Sequence, residues 1–126
     1  MTKTILVVED DKLLGKSLKA TFEDAGYSVL WSKNSDDVFK MLPNADVQLI
    51  YLDIMLPGGM DGYQILQLLK KPDSAYRHIP VIMLSNLGQL DEIERATTLG
   101  ALDYAIKANI DLDELVVLTQ KNIGNP

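Results

Sequence analysis

Short apolar runs separated by helix-length segments are the feature of this chain that most limits its possible folds. Most of the runs are continuous rather than alternating between apolar and polar residues, which is typical of strands buried on both faces. The segments between them carry apolar residues at helical spacing. Strict alternation of strands and helices favours a parallel sheet with helices on both faces. The five runs are TILVV, SVLW, VQLIYL, PVIML and DYAI.

Several of the helical segments have recognisable ends. Gly26 follows the first segment as a stop signal. Ser35 is predicted to cap the second helix, which Pro43 ends, and Asp91 is predicted to cap the fourth, which stops before Gly100. Apolar clusters predict the third and fifth helices around residues 65–69 and 112–119.

The size and charge of the chain bound its function. Its 126 residues fit one domain, which we expect to span residues 1–122, with a frayed tail beginning near Asn122 and a short C-terminal segment at 123–126. The net charge of −6 argues against direct binding of nucleic acid. The absence of cysteine excludes disulfides and thiolate chemistry. No apolar stretch approaches the roughly 20 residues that cross a bilayer, so we expect no membrane contact.

Acidic residues cluster at the ends of two predicted strands. Glu9, Asp10 and Asp11 directly follow the first run, and Asp53 ends the third. The carboxyl ends of parallel strands share one edge of a sheet, and carboxylates gathered there offer the oxygen ligands that Mg²⁺ prefers. Alternatively, the acids only favour the start of a helix. That alternative suits Asp11 as a cap, but it explains Glu9 and Asp10 poorly and ignores Asp53.

Two further side chains are expected at the same edge. Ser85 ends the fourth run and Lys107 follows the fifth. Adjacent carboxylates require a nearby positive charge, because burial disfavours their charged forms, and Lys107 can supply it. The hydroxyl of Ser85 can donate to a phosphate oxygen. Alone, Ser85 also fits a cap and Lys107 a surface lysine, but together with the acids they indicate a specific site.

Two glycine-containing motifs are less specific. The sequence GKS at residues 15–17 resembles the end of a phosphate-binding P-loop, but that motif requires glycine at the position of Asp10, and an acidic segment repels phosphate. The sequence PGGMDG at residues 57–62 predicts a tight loop that leads into the third helix and shapes the site.

Taken together, these motifs resemble the receiver domain of two-component response regulators. The matching stretches are ILVVEDD, LIYLDIMLPGGMDG, PVIMLS and LGALDYAIK, which cover nearly the whole chain in order. The resemblance implies a flavodoxin-like, doubly wound five-stranded parallel sheet in the order 2-1-3-4-5 with five helices. It implies that Asp53 is the phosphoacceptor. The other implied roles are Mg²⁺ binding by Glu9, Asp10, Asp53 and the Met55 carbonyl, and catalytic or switch functions for Ser85, Tyr104 and Lys107.

The resemblance also implies a cytoplasmic signalling switch rather than an enzyme, although one that assists its own phosphoryl transfer and dephosphorylation. A sensor histidine kinase or phosphotransfer protein would phosphorylate Asp53. Phosphorylation would then reshape the face formed by helix 4, strand 5 and helix 5, where an output partner binds. The kinase, the output partner and the oligomeric state are left open, as is whether the chain is a single-domain regulator or a piece of a longer protein.

Three positions depart from the usual receiver pattern. The segment 53–62 is one residue longer than is usual in receiver domains. Asn86 stands where the family usually has a small alanine. Ala108 follows Lys107 where the family usually has a proline in a cis peptide bond. A cis bond before a residue other than proline costs roughly 2.5–4 kcal/mol, so the Lys107–Ala108 bond is predicted to be trans. These departures leave open an alternative, a degenerate receiver that binds partners independently of phosphorylation, although the intact Asp53, Ser85 and Lys107 argue against it.

Overall fold

A parallel sheet organises the fold in the computed structural model, which describes residues 2–86 and 89–126. Its strands lie in the order β2-β1-β3-β4-β5, the flavodoxin-like doubly wound arrangement. All five predicted runs form strands, and every neighbouring pair is parallel, as expected. The strands are β1 Thr4–Val8, β2 Ser28–Ser32, β3 Val47–Asp53, β4 Val81–Ser85 and β5 Asp103–Ile106.

Helices connect successive strands, as the alternation predicts. Two short 3-10 turns at Leu42–Asn44 and Lys107–Asn109 supplement them. Within the two described ranges, no helix has the length and apolar content needed to cross a membrane. The helices are α1 Lys12–Asp24, α2 Ser35–Met41, α3 Gly62–Leu69, α4 Leu90–Thr98 and α5 Leu112–Ile123.

Two apolar layers enclose the sheet, one on each face. Successive side chains of a strand point to opposite faces, so Leu6 packs in one layer and Val7 in the other. Helices α1 and α5 cover the layer that contains Val7, and α2, α3 and α4 cover the layer that contains Leu6. Both faces are therefore buried, which explains the continuous apolar runs and leaves the carboxyl edge of the sheet open for a site.

The starts of α1 and α2 test the predicted caps. Asp11 caps α1, because its carboxylate accepts hydrogen bonds from two backbone N–H groups of the first turn. The predicted cap of α2 at Ser35 is wrong by one residue, since Asn34 holds that position and accepts from the first turn. Ser35 is buried instead, and its hydroxyl accepts a hydrogen bond from the Met60 N–H at 3.2 Å.

The predicted cap of α4 at Asp91 is also wrong. The helix begins at Leu90, and Gln89 occupies the cap position without a side-chain hydrogen bond to the helix. Asp91 lies in the first turn, where a negative charge interacts favourably with the helix dipole. The prediction failed because apolar spacing defines the buried face of a helix and not its first residue.

The C-terminal end is tied to the sheet, so the prediction of a frayed tail from Asn122 is wrong. Helix α5 continues through Ile123, whose carbonyl accepts a hydrogen bond from the Lys3 ammonium. The Gly124 carbonyl accepts one from the Tyr27 hydroxyl at 2.6 Å. Lys3 and Tyr27 precede β1 and β2, so these bonds attach the end of α5 to the amino edge of the sheet.

Candidate functional site

The carboxyl edge of the sheet collects the acidic residues singled out in the sequence. Glu9 directly follows β1, and Asp53 is the last residue of the neighbouring strand β3. One carboxylate oxygen from each of Glu9, Asp10 and Asp53 lies within 4.8 Å of the other two. Glu9 and Asp53 are 0% and 1% exposed, whereas Asp10 faces solvent. The expected convergence of acids from two strands is observed.

Lys107 provides the positive charge that this cluster requires. Its Nζ lies 2.7 Å from Glu9 Oε2 and 2.9 Å from Asp53 Oδ2. Among the described residues these two buried oxygens have no further hydrogen-bond partner. A single ammonium group facing two buried carboxylates leaves an excess of negative charge, which favours a second cation.

Burial and the neighbouring charges determine how the cluster is protonated. Burial, together with the Glu9 carboxylate, raises the pKa of Asp53 to about 7. Lys107 and the Met55 N–H, which donates to Asp53 Oδ1 at 3.1 Å, act in the opposite direction. Burial alone would lower the pKa of Lys107, but Glu9 and Asp53 raise it above its ordinary value. Lys107 therefore remains charged, and Asp53 changes charge near neutral pH.

Glu9 is held at each of its polar groups. Its backbone N–H donates to the Ser32 carbonyl at 3.0 Å, and its carbonyl accepts from Trp31 Nε1 at 2.8 Å. Its Oε1 accepts from the Asp11 N–H at 3.0 Å, and its Oε2 faces Lys107. Trp31 was not predicted as part of the site, and its one signal in the sequence is its place in the second apolar run, which forms β2 and pairs with β1.

The acidic cluster opens into a cleft of about 580 Å³. Asn86 and Ala108 both line it, so two of the departures from the receiver pattern face the site. No cis peptide bond occurs in the described chain, so the Lys107–Ala108 bond is trans, as predicted. The charged and polar lining consists of Glu9, Asp10, Asp11, Asp53, Asn86 and Lys107.

Most of the longer segment after β3 lies outside the cleft, although Met55 lines it. The Gly62 N–H donates to the Ile54 carbonyl at 2.9 Å, and a Cβ at Gly62 would lie only 2.2 Å from the Asp53 carbonyl oxygen, so this close approach requires glycine. Met60 is bound to Ser35 on α2. Residues 57–60, all of them described, do not line the cleft.

Ser85 and Tyr104 occupy different positions relative to the acidic cluster. Ser85 follows Leu84, which pairs with Asp53, and its buried hydroxyl donates to Glu92 Oε2 on α4 at 3.1 Å. No local sequence signal predicts this contact with Glu92. Tyr104 is 39% exposed on the edge strand β5 and lines a separate depression against α5. The structure therefore brings Ser85 to the edge of the site and leaves Tyr104 outside the cleft.

The residues of the cleft fit a magnesium ion. Mg²⁺ takes oxygen ligands and retains several waters, so a few carboxylates suffice to hold it. The oxygens of Glu9, Asp10 and Asp53 are close enough to share one ion, and the exposed Asp10 leaves room for water. Two of these oxygens are buried and face Lys107 alone among the described residues, so they retain acceptor capacity for a cation.

A doubly wound sheet with an acidic cluster and a lysine at its carboxyl edge is the arrangement of a receiver-type signalling domain. Residues 5–120 match the family model described as the response regulator receiver domain. This chain therefore belongs to the response regulator receiver domain family.

Individual relatives share this fold at moderate identity. The chain is 32% identical over 118 residues to a putative NtrX-like response regulator of Rickettsia felis, covering 93% of this chain and 24% of that protein. It is 34% identical over 103 residues to the transcriptional regulatory protein CusR of Escherichia coli, covering 82% of this chain and 44% of that protein. The chain thus spans less than half the length of both curated relatives.

Solved structures show the same architecture. The chemotaxis protein CheY4 of Vibrio cholerae superposes with a TM-score of 0.88 at 20% identity, covering 98% of this chain and 100% of that one. NtrX of Brucella abortus superposes with a TM-score of 0.86 at 26% identity, covering 98% of this chain and 27% of that one. At 20% identity, the likeness to CheY4 supports the fold alone.

Proposed function

We propose that Asp53 accepts a phosphoryl group from the phosphohistidine of a sensor histidine kinase or phosphotransfer protein, in a Mg²⁺-dependent reaction. The observation that carries this proposal is the position of Lys107, whose ammonium faces both Glu9 and Asp53. A purely structural ion pair needs one carboxylate, whereas this lysine faces two beside a third at Asp10. Such a cluster can hold a cation and then accept phosphate without net repulsion.

Asp53 acts as the nucleophile in this proposal. One of its carboxylate oxygens attacks phosphorus, so that an O–P bond forms, the P–N bond to the donor imidazole breaks, and the imidazole leaves with the electron pair. The ionised carboxylate is the attacking form, and Lys107 favours it. Because phosphoryl transfer depends mainly on positioning and charge stabilisation, the Lys107 ammonium and the Ser85 hydroxyl are the groups that would contact the phosphoryl oxygens.

The carboxylates of Glu9, Asp10 and Asp53 and the Met55 carbonyl would hold Mg²⁺, which supplies positive charge to the phosphoryl oxygens. Glu9 suits this function because its backbone and side chain are both held in place. Asp10 suits it because its carboxylate is exposed, which leaves room for the waters that Mg²⁺ retains.

We further propose that phosphorylation alters the face formed by α4, β5 and α5, where an output partner binds. To donate to a phosphoryl oxygen, Ser85 must leave Glu92 on α4, and Tyr104 lies exposed on β5 of the same face. The chain is then a cytoplasmic signalling switch that assists its own phosphorylation and dephosphorylation. The helix that completes this receiver unit, α5, ends at Ile123, so the boundary expected at residue 122 lies inside that helix.

Intact-mass measurement tests the phosphoacceptor. We expect incubation with acetyl phosphate and Mg²⁺ to add one phosphoryl group to the parent and none to Asp53→Ala. The exposed Asp46, which precedes β3, provides a matched control, and Asp46→Ala should be modified like the parent. Persistent modification of Asp53→Ala would refute the assignment. A parent that resists phosphorylation would favour the degenerate receiver, a phosphorylation-independent interaction module.

A further inference from the structure

Helix packing, and not phosphate binding, explains why the GKS motif has glycine at position 15. Gly15 lies inside α1, where glycine is less favourable than alanine. A Cβ at this position would lie 2.1 Å from Cζ2 of the Trp31 indole, much closer than any real contact. Gly15 is thus the residue that lets the indole pack directly against the backbone of α1.

The Trp31 indole, packed in this way, forms a hydrogen bond with the backbone of the acidic cluster. Trp31 Nε1 donates to the Glu9 carbonyl at 2.8 Å, and the ammonium of the exposed Lys33 lies over the indole, 4.8 Å from the ring centre. The Glu9 carbonyl belongs to the planar peptide unit that leads into Asp10. A hydrogen bond to this oxygen therefore restrains the rotation of the Glu9–Asp10 peptide, and with it the direction in which the Asp10 side chain leaves the backbone.

Asp10 depends on this restraint more than Glu9 does. The Glu9 carboxylate is already fixed by Lys107 and by the Asp11 N–H. Asp10 is exposed, and among the described residues no hydrogen bond or ion pair holds its carboxylate, so its backbone is the part of the residue that the fold can orient. Resting on the proposed function, we infer that Trp31 is a positioning residue for the cation site, and that Gly15 and Trp31 together orient Asp10 towards Mg²⁺.

Calorimetric titration with Mg²⁺ alone tests this inference without phosphorylation. Trp31→Phe keeps an aromatic ring but removes the N–H, and we expect its Mg²⁺ affinity to fall about three- to tenfold, the range expected for one hydrogen bond. Tyr27→Phe is the matched control, because it removes a hydrogen bond to the Gly124 carbonyl at the opposite edge of the sheet. Its thermal stability should fall while its Mg²⁺ affinity stays that of the parent.

Gly15→Ala provides a second, independent variant. The added methyl group must displace the indole, so Mg²⁺ affinity should fall as in Trp31→Phe, even though alanine favours the helix. In a Trp31→Ala background the same Gly15→Ala change meets no ring. There it should raise the unfolding temperature and leave Mg²⁺ affinity unchanged. This non-additivity is the signature of two residues that act through one contact.

The possible outcomes separate positioning from simple packing. If Trp31→Phe and Gly15→Ala unfold at lower temperature yet bind Mg²⁺ as tightly as the parent, Trp31 only packs and the inference is overturned, while the proposed function stands. If the parent itself binds no Mg²⁺, both the inference and the Mg²⁺ dependence of the proposed function are overturned. Weaker binding in both variants, with Tyr27→Phe unchanged, supports the inference.

Discussion

Asp53 is buried beside Glu9 and shares the Lys107 ammonium with it, so its carboxyl group ionises with difficulty even though Lys107 favours the ionised form. One ammonium cannot fully compensate two carboxylates that are removed from water. The raised pKa of Asp53, about 7, expresses that deficit in the absence of a metal. A divalent cation would remove the deficit, so the same feature that weakens the metal-free cluster prepares it to bind Mg²⁺.

Replacing Asp53 by asparagine should therefore stabilise the metal-free protein at alkaline pH. The pKa of Asp53 is about 7 in the folded protein, against its ordinary value of 3.8, so between about pH 4 and 7 the folded state binds more protons than the unfolded state. This group thus makes the parent less stable as pH rises through that range. Urea unfolding in chelator should show the advantage of Asp53→Asn growing from about pH 5 to about pH 8, to at most about 4 kcal/mol.

The exposed Asp46 again serves as the control, because Asp46→Asn removes a similar charge without relieving burial. Parallel stability curves for Asp53→Asn and Asp46→Asn would show that burial does not disfavour the Asp53 carboxylate. Adding Mg²⁺ at pH 8 should make the parent more stable than Asp53→Asn, which reverses their order in chelator, since a ligand that binds the folded parent stabilises it by mass action.

At the scale of the helix, two neighbouring carboxylates at the start of α1 have different roles. Asp11 accepts from the first-turn N–H groups, whereas Asp10 contributes an oxygen to the cluster with Glu9 and Asp53. Asp11→Ala should cost about 1 kcal/mol of folding free energy through the lost cap and largely preserve Mg²⁺ affinity. Asp10→Ala should leave stability nearly unchanged and weaken Mg²⁺ binding about tenfold.

Chemical unfolding measures the stability of the two variants, and calorimetry measures their Mg²⁺ affinity. Each variant is the other's control, because both remove one carboxylate from the same exposed segment. Equal losses of Mg²⁺ affinity would mean that general electrostatic attraction, rather than the direction of Asp10, governs binding.

The cap at the start of α1 could be predicted from the sequence for a local reason. The cap at Asp11 depends on groups within three residues, which the sequence displays directly. The starts of α2 and α4 depend on more than local residue type. Ser35 is a good cap by composition, but it is buried and accepts from Met60, a partner on a distant loop.

Across the whole molecule, the sequence was sufficient for the strands, their order and the meeting of Glu9, Asp53 and Lys107. Those features follow from the pattern of apolar runs and from a family resemblance that covers nearly all of the chain. The contacts of Trp31 with Glu9 and of Ser85 with Glu92 could not be predicted. Each joins two elements through side-chain directions that only the packed structure defines.

The contact between Ser85 and Glu92 leads to a prediction about how the site communicates with α4. A serine hydroxyl has one proton to donate, so Glu92 and a phosphoryl oxygen compete for it. The Glu92 carbonyl also accepts from the Tyr63 hydroxyl at 3.3 Å, which attaches the first turn of α4 to α3. Glu92→Ala should raise the affinity for beryllofluoride, a phosphoryl mimic, about two- to fivefold, because one competing acceptor is removed.

Glu94→Ala is the matched control for this prediction, since Glu94 lies on the same helix, carries the same charge and is exposed. Its effect on beryllofluoride affinity in the presence of Mg²⁺ measures the loss of one acidic charge without loss of the hydrogen bond. In a Ser85→Ala background, Glu92→Ala should add nothing beyond that charge effect, because there is no hydroxyl to compete for.

If Glu92→Ala and Glu94→Ala raise the affinity for beryllofluoride equally, the link from Asp53 to α4 does not run through the hydrogen bond between Ser85 and Glu92. An additional gain in beryllofluoride affinity that is confined to Glu92→Ala and abolished by Ser85→Ala would place Ser85 and Glu92 on that link. Thermodynamic linkage then requires that a partner which prefers the released form of α4 favours phosphorylation to the same extent.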